Sequence, residues 1–209
     1  MKILVFGATG ATGQHVVKQA LGRGHDVTAF VRNPGTLPVT DERLRVVGGD
    51  TTRDESKIAE AVHGQDVVVS ALGRRNSFSS DHLISRSMRA IVPSMERAGV
   101  RRLMLVSACG VGDSRRDAPL IPRIMYRLLL SDIFSDKEAA ERDVQRSSLD
   151  WTIVYPVLLT NGPVTGTYRV GERLALHGLP KISRADVAHF ILSEIDNGAF
   201  IRKAAVISY

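Results

Sequence analysis

Three glycines constrain this chain more than any other feature. Gly7, Gly10 and Gly13 stand in the run Gly7-Ala-Thr-Gly-Ala-Thr-Gly13, directly after the apolar stretch Lys2–Phe6. A short apolar run ending in glycine reads as a buried strand. Val16, Val17, Ala20 and Leu21 then recur at helical spacing over Gln14–Gly22, and Arg23-Gly24-His25 stops that helix. Asp26–Val31 is β-branched and apolar, a second strand. Together they make one βαβ unit of about 30 residues. Glycine is needed in such a turn for three reasons: a tight bend, close approach of the backbone to a pyrophosphate, and packing of helix on strand. The helix N-terminus then offers free N–H groups and partial positive charge to phosphates. Thr9 and Thr12 can add hydroxyl donors.

The alternation continues along the chain. Strands are expected at Leu44–Val47, Asp66–Leu72, Arg102–Val106, Trp151–Val154 and Ala204–Ile207. Helices are expected at Arg53–Val62, Ser80–Ala98 with Gly99 as its cap, Leu120–Leu130, Asp136–Ser147, and Arg184–Ile195 behind Ser183. Asp113–Pro122 reads as an exposed loop, and Gly162–Pro180 as loops or a hairpin over the sheet's C-terminal edge. Regular β/α alternation implies a doubly wound parallel sheet, an α/β Rossmann-type fold. The chain has 209 residues, the size of one domain, so residues 1–209 are read as one unit. Its part from about residue 156 is expected to form the pocket for a second ligand.

Composition narrows the function. No apolar run approaches the about 18 residues needed to span a bilayer, and Ile3–Phe6 is too short for a secretory leader. A single cysteine, Cys109, excludes an internal disulfide and paired-cysteine zinc sites, so the cytoplasm is the expected compartment. Cys109 reads as an inert small residue. The histidines show no ligand spacing, so no metal is expected. The net charge is +6, but the arginine doublets are dispersed, which argues against a nucleic-acid surface. The apolar stripe Ile121–Leu130 reads as core or a dimer face, which leaves monomer or homodimer open.

The glycine loop calls for a dinucleotide, and Arg32 says which one. The common form of this unit places a carboxylate after the second strand, on the ribose 2′-OH. Val31-Arg32-Asn33 stands there instead. A guanidinium suits a 2′-phosphate through bidentate bonds and can stack on adenine, so NADP(H) is expected. Asp50, after the third strand, could accept from the adenine amino group or cap a helix. Ser70–Gly73 ends the fourth strand and would line the cofactor cleft; Arg74-Arg75-Asn76 follow.

GATGATG, Val31–Pro34, Gly49-Asp50 and Ser70–Asn76 (SALGRRN) resemble the atypical short-chain dehydrogenases with NAD(P)-binding NmrA-like domains. Within that family the chain is most similar to the flavin reductase (biliverdin-IXβ reductase) branch, from Lys2 to about Phe190. Ser107 in VSA, Pro163–Tyr168 and Lys181–Phe190 extend the likeness. The resemblance implies that Gly7, Thr9, Gly10, Thr12, Gly13, Arg32, Asp50, Thr51, Leu72, Gly73 and Arg75 contact the cofactor. It implies that Ser107 sits beside nicotinamide and acceptor, and that Pro156, Val157 and Leu158 flank the nicotinamide. Two departures stand out. Leu158 replaces a histidine found near the substrate in the flavin reductases, and Ile133 occupies the tyrosine place of the Tyr-x-x-x-Lys pair whose lysine place falls on Lys137. Lys137 could contact ribose or lie exposed.

The expected activity is hydride transfer from NADPH to a planar flavin-like, tetrapyrrole-like or quinone-like acceptor. Such acceptors carry their own conjugated nitrogens or carbonyls, so alignment by the protein supplies much of the rate. The alternative from another class is a non-catalytic NmrA-like sensor of NADP(H). A sugar-nucleotide or isoflavone-type reductase ranks last, because about 50 residues after the sixth strand leave little room for a large substrate domain.

Overall fold

The computed structural model describes residues 1–73, 81–112 and 131–209. Period-two alternation builds its centre. Along β1 (Lys2–Phe6), Ile3 and Val5 face one side of the sheet while Leu4 and Phe6 face the other, and all four are fully buried. A strand covered on both faces is apolar throughout, which is why Lys2–Phe6 reads as an unbroken hydrophobic run.

β1 pairs in parallel with β2 (Asp26–Val31) on one side and β4 (Val67–Ser70) on the other. β3 (Leu44–Gly48) lies outside β2. Beyond β4 come β5 (Arg102–Val106) and β6 (Asp150–Pro156), also parallel. Of the remaining strands, β7 (Leu158–Thr160) and β9 (Lys181–Ser183) form a separate two-stranded parallel sheet. β10 (Lys203–Ser208) runs parallel to β6, and β8 (Arg169–Gly171) closes the edge antiparallel to β10. The main sheet therefore reads β3-β2-β1-β4-β5-β6-β10-β8. Its order reverses at β1/β4, the switch point where doubly wound sheets open a ligand crevice at their carboxyl ends.

Helices cover both faces. α1 (Ala11–Gly22) and α5 (Arg184–Asn197) bury Val16, Val17, Ala20, Val187, Ala188 and Ile191 against the Ile3/Val5 side. α2 (Glu55–Val62), α3 (Leu83–Ala98) and α4 (Ser131–Arg146) bury Ile58, Met88, Ile91, Met95, Ala140 and Val144 against the Leu4/Phe6 side. Among the described residues no helix is long and apolar enough to cross a membrane.

Several boundaries differ from expectation for identifiable reasons. α1 starts three residues early, because Ala11, Thr12 and Gly13 form its first turn despite their loop-like composition. α2 starts at Glu55, because the N–H groups of Arg53 and Asp54 both bond the Asp50 carbonyl and use those residues in a turn. Leu83 opens α3, since Asp81 and His82 are left-handed. α4 already includes Ser131, and its first residues are less buried than its middle. Gly162–Pro180 is not a hairpin: it carries β8 and joins β7 to β9, whose Leu158 and Lys181 pair across an interval no local pattern reveals. Ser183 does cap α5, accepting from the Asp186 N–H at 2.9 Å, and Gly99 ends α3 in the left-handed conformation. The expected Leu120–Leu130 helix, the apolar stripe and the whole Asp113–Pro122 loop fall outside the described residues.

Candidate functional site

The glycine turn has the geometry of a phosphate cradle. Gly7 is left-handed at φ +78°, and a Cβ there would lie 2.6 Å from the Ala71 carbonyl oxygen. A side chain at Gly13 would collide with the Gly7 carbonyl, so helix and turn touch backbone to backbone. The Gly10 N–H closes the turn onto that carbonyl at 2.9 Å. Gly10 is the N-cap of α1, yet no side chain accepts from the first turn and no acidic residue lies in it. An uncapped helix start bordered by glycine leaves donors and positive potential for an anion. That is the fit expected for a dinucleotide pyrophosphate. Thr9 and Thr12 flank the turn half-buried, and the Gln14 side chain ties the Thr9 carbonyl at 3.0 Å.

One strand over, Arg32 is exposed just past β2. It shares the neighbourhood of Asp50 with Arg53, a residue the sequence reading did not single out. Asp50 uses one carboxylate oxygen to accept from the Thr52 N–H at 2.8 Å and the Thr52 hydroxyl at 2.7 Å. Those two hydrogen bonds, against a smaller cost of burial and aided by Arg53 and Arg32, hold the Asp50 carboxyl below its usual pKa. It is therefore an ionised acceptor, and it does not cap α2, whose N-cap is Asp54. Thr51 points inward: it is buried, and its hydroxyl accepts from Ser87 at 2.7 Å. Leu72 is half-buried and Gly73 exposed after β4. Arg75 lies outside the described residues.

Ser107 follows β5 and is buried. Its hydroxyl hydrogen-bonds Oε1 of Glu141 on α4, while the Tyr155 hydroxyl donates to Oε2 of the same carboxylate at 2.8 Å. Gly112, at φ +50°, packs directly on this group, and a Cβ there would run into Glu141 Oε2. Burial pushes the Glu141 carboxyl up; the hydroxyls of Ser107 and Tyr155 and the charge of Lys137 pull it back down. Lys137 sits one turn earlier on α4. Burial lowers its pKa to about 8, opposed by Glu141 and Asp136. Lys137 is half-buried rather than fully exposed. Asp136 beside it accepts from the backbone N–H groups of Ile84 and Ser85, both at 2.9 Å, and so anchors the start of α3. Ile133, in the tyrosine place, is half-buried.

Pro156 and Val157 are buried at the end of β6, and the Pro156 carbonyl accepts from the Cys109 N–H at 2.9 Å. Leu158 is 44% exposed, and its N–H reaches the Pro180 carbonyl beside the 68% exposed Leu179. Leu158 and Leu179 thus leave apolar surface exposed beside the β7/β9 pair. Gly7, Arg32, Asp50, Leu72, Ser107 and Pro156 all lie at the carboxyl ends of parallel strands. Glu141 and Tyr155 escaped the sequence reading. The Lys137/Glu141 spacing of four was the one available signal, and it reads equally well as an exposed helix pair. Among the described residues, no group of three histidine, cysteine or acidic side chains could hold a metal ion.

The sheet order and the glycine turn are those of a Rossmann-type domain. A family model described as NAD(P)H-binding matches residues 7–198, and the chain belongs to that NAD(P)-binding oxidoreductase family. An uncharacterized chloroplastic protein of Arabidopsis thaliana is 32% identical over 173 residues; the match covers 79% of this chain and 61% of the longer plant protein. A putative exported protein of Burkholderia pseudomallei superposes with a TM-score of 0.82 at 33% identity, covering 100% of both chains. The anaerobilin reductase ChuY of Escherichia coli O157:H7 superposes with a TM-score of 0.82 at 25% identity, covering 99% of this chain and 96% of ChuY.

Proposed function

We propose that this chain is an NADPH-dependent reductase that passes hydride to a planar flavin-like, tetrapyrrole-like or quinone-like acceptor. The observation that carries the reading is the uncapped glycine turn of α1 set beside exposed Arg32. The turn suits the pyrophosphate and the guanidinium suits a 2′-phosphate. Gly7, Thr9, Gly10, Thr12 and Gly13 would hold the pyrophosphate, with Leu72, Gly73 and Arg75 along the adjoining strand end. Arg32 would hold the 2′-phosphate, and Asp50 the adenine amino group. Thr51, buried beside it, would add a contact from the same loop. Ser107 would meet the nicotinamide amide or the acceptor, between Pro156–Leu158 and the end of β5.

Bound NADPH supplies a hydride. The protein aligns it with the acceptor and excludes water. The exposed Leu158, Val164 and Leu179 favour a flat apolar ring system over a sugar. The ChuY neighbour is named an anaerobilin reductase, which supports an organic acceptor for this fold.

The test is loss of NADPH absorbance with purified protein and FMN, beside NADH and a no-acceptor blank. Rapid NADPH-selective oxidation is expected. Absence of turnover with flavin, tetrapyrrole and quinone, despite tight NADP(H) binding, would replace the reductase by a sensor. Cofactor choice has its own check. Arg32→Glu should weaken NADPH binding by roughly 1–3 kcal/mol, the value of a charged hydrogen bond, with little change for NADH. Equal affinity in variant and wild type would assign the phosphate to another group.

A further inference from the structure

We propose that Glu141 is a positioning residue whose proton sets the direction of the Ser107 hydroxyl, making Ser107 an acceptor when Glu141 is ionised and a donor to the reduced acceptor when it is protonated. The proposal rests on the reductase reading above for its use, and on hydrogen-bond geometry for its existence.

The geometry leaves few choices. The two oxygens of Glu141 are each engaged by one hydroxyl, Ser107 on Oε1 and Tyr155 on Oε2. An ionised carboxylate can only accept. Both hydroxyls must then aim their hydrogens at it, and Ser107 turns only lone pairs outward. Such a Ser107 suits an amide N–H of nicotinamide. A protonated carboxyl has one hydrogen of its own. If that hydrogen lies on Oε1 it is donated to Ser107, whose O–H is then free to point away from Glu141. Gly112 closes the remaining side, because even a methyl group there would strike Oε2. Among the described residues, Tyr155 and Gly112 thus cover Oε2 and Ser107 covers Oε1.

The same arrangement completes the proton balance. Hydride transfer gives the acceptor two electrons and one hydrogen nucleus, so one further proton must reach an acceptor nitrogen or oxygen. The Ser107 O–H breaks to supply it, the Glu141 O–H breaks to restore Ser107, and solvent restores Glu141. Among the described residues, the charged groups acting on the carboxylate are Lys137 and Glu138 on α4, and Asp136 acts in turn on Lys137. On α3, Arg89 faces Asp143 at 3.5 Å rather than Glu141. β5 and β6 contribute Ser107 and Tyr155. Burial and Glu138 favour the protonated carboxyl; Ser107, Tyr155 and Lys137 favour the ionised one. A carboxyl so balanced suits a group that must exchange its proton during turnover.

Two measurements on the full-length protein test this. The first needs no turnover: carboxyl carbon NMR of glutamate-labelled protein, with and without NADP+, using Glu141→Gln to assign the signal. Glu141 should titrate above the ordinary carboxylate range, and Ser107→Ala should move that titration upward. An ordinary titration unmoved by Ser107→Ala overturns the proposal whatever the activity. The second is the pH profile of NADPH oxidation with FMN. Wild type should lose rate on the alkaline side. Glu141→Gln should lower kcat at least tenfold, leave KM for NADPH within twofold, and abolish that limb. If Glu141→Gln does not fold, Tyr155→Phe serves instead: it removes a donor to the carboxylate, so the alkaline limb should shift to higher pH. A wild-type kcat and unchanged profile in the variants overturns the proposal. A raised, Ser107-linked titration with no wild-type turnover overturns the reductase reading alone.

Discussion

Lys137 and Arg32 show how burial changes what a cation means. Arg32 is exposed and stays available to a phosphate, whereas Lys137 is held beside Glu141 with its pKa lowered to about 8. A lysine depressed from 10.5 to about 8 binds fewer protons folded than unfolded between those values. Stability must therefore rise with pH across that window, the penalty being complete below about 8. Urea unfolding of wild type between pH 8 and 10 should show this rise, on the order of 2 kcal/mol. Lys137→Met should flatten it, and parallel curves would mean that the ammonium is solvated. Arg32 was legible in the sequence because its position after β2 is fixed by chain distance from the glycine turn. Glu141 was not, because charged residues spaced by four on a helix ordinarily mark a solvated face. Only the approach of Ser107 and Tyr155, from strands 34 and 14 residues away, reveals it as buried.

α3 and α4 are fastened by a side chain of one at the first turn of the other. Asp136 accepts from the Ile84 and Ser85 N–H groups, taking the part that a local N-cap plays in α5. His82, at the N-cap of α3, is left-handed and makes no side-chain cap. Asp136→Ala should thus cost about 1–2 kcal/mol, the worth of a good cap, with a matching fall in the urea midpoint. A neutral outcome would show that water replaces it. The elements best read from the sequence were those whose signals are local: β1, β2, the Gly99 stop and the Ser183 cap. The three-residue strands β7, β8 and β9 carried no alternation to read. They exist because Leu158–Thr160 meets Lys181–Ser183, and because β10 offers an edge to Arg169–Gly171.

Across the whole domain, Asp186 ties together parts that are far apart in the chain. Its carboxylate accepts from the Thr165 N–H and hydroxyl, the Gly166 N–H, the Ser183 hydroxyl and the Tyr209 hydroxyl. Burial raises its pKa, but these donors outweigh burial and hold it at about 2. Because the folded value is depressed from 3.8, the stabilisation is present above that pH and is lost as pH falls toward 2. Asp186→Asn should cost roughly 1.5–3 kcal/mol at neutral pH and shift acid unfolding to a less pH-dependent transition. An unchanged acid limb would place its origin elsewhere. The order of the sheet also bears on how the protein is made. Strands β1 to β5 come from the first 106 residues and pair only with one another and with β6, whereas β10 must slot between β6 and β8 before the far edge exists. During synthesis, when N-terminal parts emerge first, the half that carries the glycine turn can assemble while the C-terminal half still awaits residues 203–208. A ribosome-bound chain stalled before β10 should already be able to capture dinucleotide, so ligand would act as a template for the last strands to dock.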